Sequence, residues 1–278
     1  MTTEQWRAEL VRRNEHFGQP TGYWCSVRQG AYRIGVWDKE KESSEVTLPA
    51  FWIARYPITV AQYAPFVVEG YDVGAERWWT PEGWSRKGQR TQPWGWGRLE
   101  YRGPNQPVIG MTWYEATAFC VWLSEKLQDV LPTGYVVCLP TEAEWEVAAA
   151  YDVQMQCQMY PWGTEKLTPE RAIFNESKLG HPAPVGCCSS GAATCGAMDM
   201  VGNVWEWTAN SYRDYPVQSG VPQKDFTFGV HGVPMRGGSY RNDSLYACCG
   251  ARICDRPGLV SFLGYNWGVR VCVSPRRA

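Results

Sequence analysis

Histidine is scarce in this chain, with three among 278 residues, and neither sign of charge is in excess. A net charge of -1 and a pI near 6.3 argue against a nucleic-acid partner, because neutralising phosphates takes a surplus of Lys and Arg. No apolar run approaches the roughly 20 residues of a membrane-spanning helix, so no membrane partner is expected. The opening stretch MTTEQWRAELVRRNEHF has neither an apolar h-region nor a small-residue cleavage site, which predicts a cytoplasmic location. A further absence is local. Between Ser239 and Asn266 there is no Met, Trp, Gln, Lys or Glu, although the rest of the chain is rich in Trp, Gln and Glu. Those five are the residues that a codon of the form NNC cannot encode.

What is present is aromatic. Sixteen Trp and fifteen Tyr are more than a surface can usefully display, so many must be structural. Eleven Cys make an odd count, and without an export signal they read as mostly buried, reduced thiols. The pairs Cys187-Cys188 and Cys248-Cys249 lack the two-residue gap of a zinc knuckle, and structural zinc is not expected. The length suffices for one large domain with a full core.

Three helix starts carry a capping box, in which a Thr oxygen caps the helix and a Glu or Gln three residues on reaches back. Thr59 to Gln62 opens a helix with Tyr63 and Phe66. Thr112 to Glu115 opens the longest, running to about Lys126. Thr141 to Glu144 opens a third, with Trp145 and Ala148 facing inward. Residues 4–17 predict an amphipathic lead-in helix with Trp6, Leu10 and Val11 on one face. Strand-like composition marks Tyr32 to Gly35, Val46 to Trp52, Tyr135 to Leu139 and Trp267 to Val273. Long loops at 70–108 and 151–200 are studded with Gly, Pro and Trp, and the Trp are expected to pack beneath them. The sum is an α+β fold, loop-rich, with short strands and two to three helices.

Several segments, in colinear order over about residues 24 to 274, resemble the formylglycine-generating-enzyme-like (FGE-sulfatase) superfamily. They include GAYRIG (Gly30 to Gly35), FWIARYPITVAQYAPFV (Phe51 to Val67), LPTEAEWEVAAA (Leu139 to Ala150), MDMVGNVWEWT (Met198 to Thr208) and RGGSY (Arg236 to Tyr240). The resemblance implies a C-type-lectin-type fold: a lead-in helix over residues 1–23, then one domain over 24–278. In members that oxidise a sulfatase cysteine, two copper-binding cysteines follow GGSY. Here those positions hold Asn242 and Ala247, so no copper is expected and the chain is expected not to be an enzyme. Two alternatives are a divergent oxidase using the displaced Cys248 and Cys254, and a fixed-partner accessory subunit of a bacterial assembly. A second branch, the ergothioneine-type sulfoxide synthases, takes iron ligands from an added helical domain. His16, His181 and His231 show no HxxxH or HxxE spacing, which argues against it.

A third branch is the variable proteins of diversity-generating retroelements, whose variable region lies between a GGS-type start and a GFR-like end. RGGSY and Trp267-Gly268-Val269-Arg270 resemble that bracket, and adenine-directed mutagenesis of AAC codons would write the NNC vocabulary found between them. The resemblance thus implies a ligand-binding, receptor-like protein with a variable region at about 239–266 and a protein or other macromolecular ligand. The expected contact residues are Arg241, Asn242, Ser244, Leu245, Tyr246, Ile253, Asp255, Arg256, Leu259, Ser261, Phe262, Leu263, Tyr265 and Asn266, a paratope-like set of rigid aromatics and adaptable polar groups. Phe262, Leu263 and Tyr265 are the expected anchors. Family calcium ligands correspond to the Asp199 and Glu206 carboxylates and the Gly202 and Val204 carbonyls, an all-oxygen set suited to a structural Ca2+.

Overall fold

The computed structural model describes residues 1–13, 16–18, 22–37, 43–209, 232–258 and 266–277. Leu259, Ser261, Phe262, Leu263 and Tyr265 of the expected face lie outside them. Among the described residues there are five α-helices, more than the two or three expected: α1 (Thr3–Val11), α2 (Val60–Glu69), α3 (Pro81–Lys87), α4 (Trp113–Lys126) and α5 (Glu142–Ala150). The capping boxes at Thr59, Thr112 and Thr141 all form. Helix α1 has its own, at Thr2 and Gln5, and ends at Val11 rather than at 17. Trp6 and Leu10, one turn apart, are buried, but Val11 is 64% exposed, since one further residue turns the side chain about 100° away. Helix α3 lies inside the segment expected to be loop. Thr80 caps it through the Gly83 N–H and Pro81 takes the first helical position, where a missing N–H costs nothing.

The strands are β1 (Trp24–Val27), β2 (Gly30–Ile34), β3 (Ser44–Leu48), β4 (Phe51–Ala54), β5 (Tyr135–Cys138), β6 (Trp205–Trp207), β7 (Val233–Arg236), β8 (Arg252–Asp255), β9 (Trp267–Gly268) and β10 (Cys272–Pro275). They make a four-stranded sheet in the order β1-β4-β10-β5, a β2-β3 hairpin, and a second four-stranded sheet in the order β8-β7-β6-β9. Two expected strands divide. The run from Val46 to Trp52 breaks at Pro49, which has no N–H for a ladder, so β3 pairs with β2 while β4 pairs with β1 and β10. The run from Trp267 to Val273 serves both large sheets, β9 beside β6 and β10 between β4 and β5.

The first sheet separates two apolar clusters by simple alternation. Trp24, Trp52, Ala54, Val137 and Val273 face the cluster around α2 and α4; Cys25, Val27, Phe51, Ile53 and Cys272 face the one around α5. In the first cluster Phe66 meets Tyr63, Phe119 and Trp122 with ring centroids 5.3 to 5.7 Å apart. Tryptophans also hold the long connections. Trp79 Nε1 donates to Gly70 O at 2.7 Å, Trp113 Nε1 to Thr208 O at 2.9 Å and Trp207 Nε1 to Met111 O at 3.2 Å. Each fixes a loop carbonyl that no ladder reaches, as buried polar groups require.

Candidate functional site

The candidate face starts where β7 ends. Gly237 and Gly238 both have positive φ, +97° and +77°, and a Cβ at either would fall 2.8 Å from Met200 O or 2.4 Å from Tyr246 O. Only glycine fits this turn, which lays residues 239–246 against the second sheet. Ser239 and Tyr240 point inward and Arg241 points out. A one-turn helix at Ser244–Tyr246 follows, capped by Asp243 Oδ1 on the Leu245 N–H at 3.1 Å. It holds Leu245 80% exposed and Tyr246 42% exposed. The chain then turns in through the buried Ala247, Cys249 and Ala251 and rejoins the sheet as β8.

Of the expected contact residues, Arg241, Ser244, Leu245 and Tyr246 are exposed on this turn, and Arg256 is exposed beyond the far end of β8. Ile253 and Asp255 are half-buried, Ile253 packed against the α2–α4 core. Two expectations are corrected. Asn242 Oδ1 accepts from Trp205 Nε1 at 2.9 Å and from Ser239 Oγ at 2.5 Å, while Asn242 O accepts the Asn175 N–H at 2.9 Å. Its side chain is a pin for the loop, not a free contact group. Asn266 is 7% exposed, and its Nδ2 donates to Ser239 Oγ at 2.7 Å. The donor order is forced. Indole N–H can only donate, Ser239 then gives its proton to the same Asn242 oxygen, and Asn266 must supply an N–H to Ser239. Asn266 Oδ1 is left buried without a hydrogen-bond partner.

Beneath the face lies an ionic frame. Arg236, fully buried, donates to Glu146 Oε2 at 2.5 Å; Arg252 grips Glu142 through two bonds of 2.7 and 2.9 Å. Arg270 donates to both Glu206 oxygens at 2.8 to 3.0 Å and to the carbonyls of Ala54, Arg55 and Met198. It thereby joins β4 of one sheet to β6 of the other.

The residues expected to hold calcium do not fit it in this arrangement. Glu206 spends its carboxylate on Arg270 and on Trp145 Nε1 at 2.6 Å. Asp199 is buried and accepts the Gly186 N–H at 2.7 Å. Loss of solvent, with the Glu206 charge adding, pushes its carboxyl up to about 6 against the pull of Gly186 and Arg270. Gly202 and Val204 lie on the buried loop between them. With Glu206 held by Arg270 and Trp145, the set of two carboxylates and two carbonyls lacks one of its anionic ligands for Ca2+, and the local positive charge is the guanidinium. Among the described residues no group of three or more His, Cys, Asp or Glu is placed to hold a metal ion.

The displaced Cys248 and Cys254 are both free and lie on different segments. Cys248 is half-buried near Leu245 O, whereas Cys254 is exposed on β8. Partial burial raises the Cys254 thiol, and full burial pushes Cys249 well up, opposite to what a thiolate nucleophile needs.

Residues 9–274 match the sulfatase-modifying factor enzyme 1-like domain. The chain belongs to that family. Among curated members it is 34% identical over 218 residues to hercynine oxygenase of Mycobacterium tuberculosis, covering 73% of this chain and 47% of that protein. The chain thus spans less than half the length of that relative. Two solved structures share the fold. Treponema denticola variable protein 1 aligns with a TM-score of 0.64 at 19% identity, covering 94% of this chain and 98% of its own. PvdO of Pseudomonas aeruginosa aligns with a TM-score of 0.65 at 20% identity, covering 93% and 97%. They establish the C-type-lectin-like architecture expected from the motifs. The expectation that the chain is not an enzyme is overturned by the hercynine oxygenase relative, an enzyme by name. The absence of cysteine at Asn242 and Ala247, the positions that the resemblance matches to the copper ligands, does not by itself exclude catalysis.

Proposed function

We propose that the chain is a ligand-binding protein that presents exchangeable residues of its C-terminal segment on a C-type-lectin scaffold, in the manner of retroelement-diversified variable proteins. One contrast carries the reading. Within 239–258, inward positions are fully committed (Ser239, Asn242, Ala247, Cys249, Ala251), while Arg241, Ser244, Leu245, Tyr246 and Arg256 reach solvent between them. An 80% exposed Leu245 on a capped turn contributes nothing to the core, and rigid apolar groups beside Arg and Tyr suit contact with a macromolecular ligand. The gap in residue vocabulary falls on this same segment. The test is to align the codons for 236–273 with the DNA flanking the gene. A near-copy that differs only at adenines is expected; its absence leaves a face of fixed specificity.

A second reading rests on the hercynine oxygenase relative. In it the same face recognises the substrate of an oxidation, with the remaining chemistry supplied from outside this stretch, since the chain spans 47% of that protein. Turnover of hercynine by the chain, alone or with an added partner, decides for this reading.

A further inference from the structure

A cleft of about 620 Å³ opens between the turn at Asn175–Gly180 and the segment Tyr240–Arg241. One wall lies outside the variable stretch and the other stands at its first exposed position. The walls are tied, because the Asn175 N–H donates to Asn242 O at 2.9 Å. The turn ends on Lys178, held in the left-handed region at φ +55° and closed by its N–H on Asn175 O at 3.0 Å. Arg241 is steadied by its Nε on the Tyr240 hydroxyl at 3.1 Å, and its carbon Cζ stands 5.5 Å from that ring's centre. Its two terminal nitrogens make no hydrogen bond or ion pair among the described residues, and Lys178 makes no ion pair there. Glu176 is the one acid on the lining, so the cleft carries a net positive charge.

We propose that this cleft binds an acidic peptide segment of the ligand between a fixed wall at Lys178 and an exchangeable one at Arg241, a deepening that rests on the reading of 239–258 as a recognition face. A carboxylate fits the fork of the Arg241 terminal nitrogens in bidentate fashion, with Lys178 as a second point charge. Glu176 and Asn175 accept the N–H groups that a peptide offers on either side of its acidic residue. The same Glu176 disfavours a phosphate dianion, which brings more charge than two cations facing an acid can balance. A free small molecule fits poorly as well. Asn175, Glu176, Lys178 and Gly180 are all exposed, and so open a cleft cannot enclose most of a small ligand's surface. A peptide held elsewhere on its partner has no such need. Leu179, 42% exposed on the same turn, adds apolar contact beside the charges. The fixed wall at Lys178 keeps the partner's acid in register while Arg241 and its neighbours vary.

The experiment measures anisotropy of a fluorescein-labelled alanine peptide with one central glutamate, against its glutamine counterpart, on the full chain at low salt. The glutamate peptide is expected to bind more tightly and to weaken as salt rises. Lys178→Glu, on the wall outside the variable stretch, is expected to weaken it severalfold, with the melting temperature unchanged as befits an exposed site. Equal binding of both peptides, or an unchanged affinity in the charge-reversed protein, overturns this site. Leu245→Ser with Arg256→Ser separates the two readings. If this pair alone alters binding, the face stands and the cleft site fails. If the charge reversal alone does so, the cleft site stands and the variable face loses this ligand.

Discussion

Single residues decide whether the candidate face has a floor to stand on. Arg270 uses its guanidinium N–H groups on Glu206 and three backbone carbonyls in a fully buried place, a fork that a lysine ammonium cannot reproduce. Arg270→Lys is therefore expected to cost about 3 kcal/mol or more, since it leaves Glu206 buried with too few donors. A urea midpoint measures it, and a loss near zero would mean that water enters the site and replaces the lost bonds. The outward residues behave oppositely. Leu245→Ser and Ser244→Tyr are expected to shift stability by no more than about 0.5 kcal/mol, read by the same midpoint. The sequence pointed to the frame through RGGSY and GVR, the segments that resemble the bracket of the family's variable region. It did not show that Asn242 and Asn266 turn inward. Their partners, Trp205 and Ser239, lie 37 and 27 residues away in the chain, and an Asn reads alike on either side of a loop.

At the scale of elements, local signals were legible where the chain satisfies itself and illegible where distant segments meet. The capping boxes at Thr59, Thr112 and Thr141 predicted α2, α4 and α5 because cap and reply lie three residues apart. Strands β6, β7 and β8 escaped notice. They are three or four residues long and are strands only by virtue of each other. The α4 cap is more than a local device. Glu115 is fully buried, and its Oε2 takes the Thr112 N–H at 2.7 Å and the Thr112 hydroxyl at 2.8 Å, while its Oε1 takes the Tyr71 hydroxyl at 2.9 Å. Thr112→Ala removes the cap and one donor from a buried carboxylate. It is expected to cost about 2 kcal/mol, above the ~1 kcal/mol of an exposed cap. Thr112→Ser, which keeps the hydroxyl, is expected to recover most of that loss. Chemical denaturation of both variants checks it, and equal losses would put the effect in the Thr methyl group instead of the hydrogen bonds.

For the molecule as a whole, the sheet β1-β4-β10-β5 is the common wall of both apolar clusters, and alternate residues of each strand belong to different ones. Neither cluster can be lost while that sheet stays covered on both faces. Arg270 extends the dependence to the second sheet, which carries β7 and β8 beside the candidate face. Stability is thus shared between the core that the family motifs build and the surface that the C-terminal segment displays. This arrangement lets exposed positions change while their neighbours remain locked in place, because the locking bonds end in the frame and not in the exposed side chains. It also makes unfolding a single event for the described fold. Tryptophan fluorescence, dominated by the cluster around α2 and α4, and far-UV circular dichroism, which averages all elements, are expected to give one coincident guanidinium transition. A fluorescence midpoint well below the dichroism midpoint would show the two clusters unfolding separately. The shared sheet would then be a boundary between two units instead of their bond, and the face would be supported by only one of them.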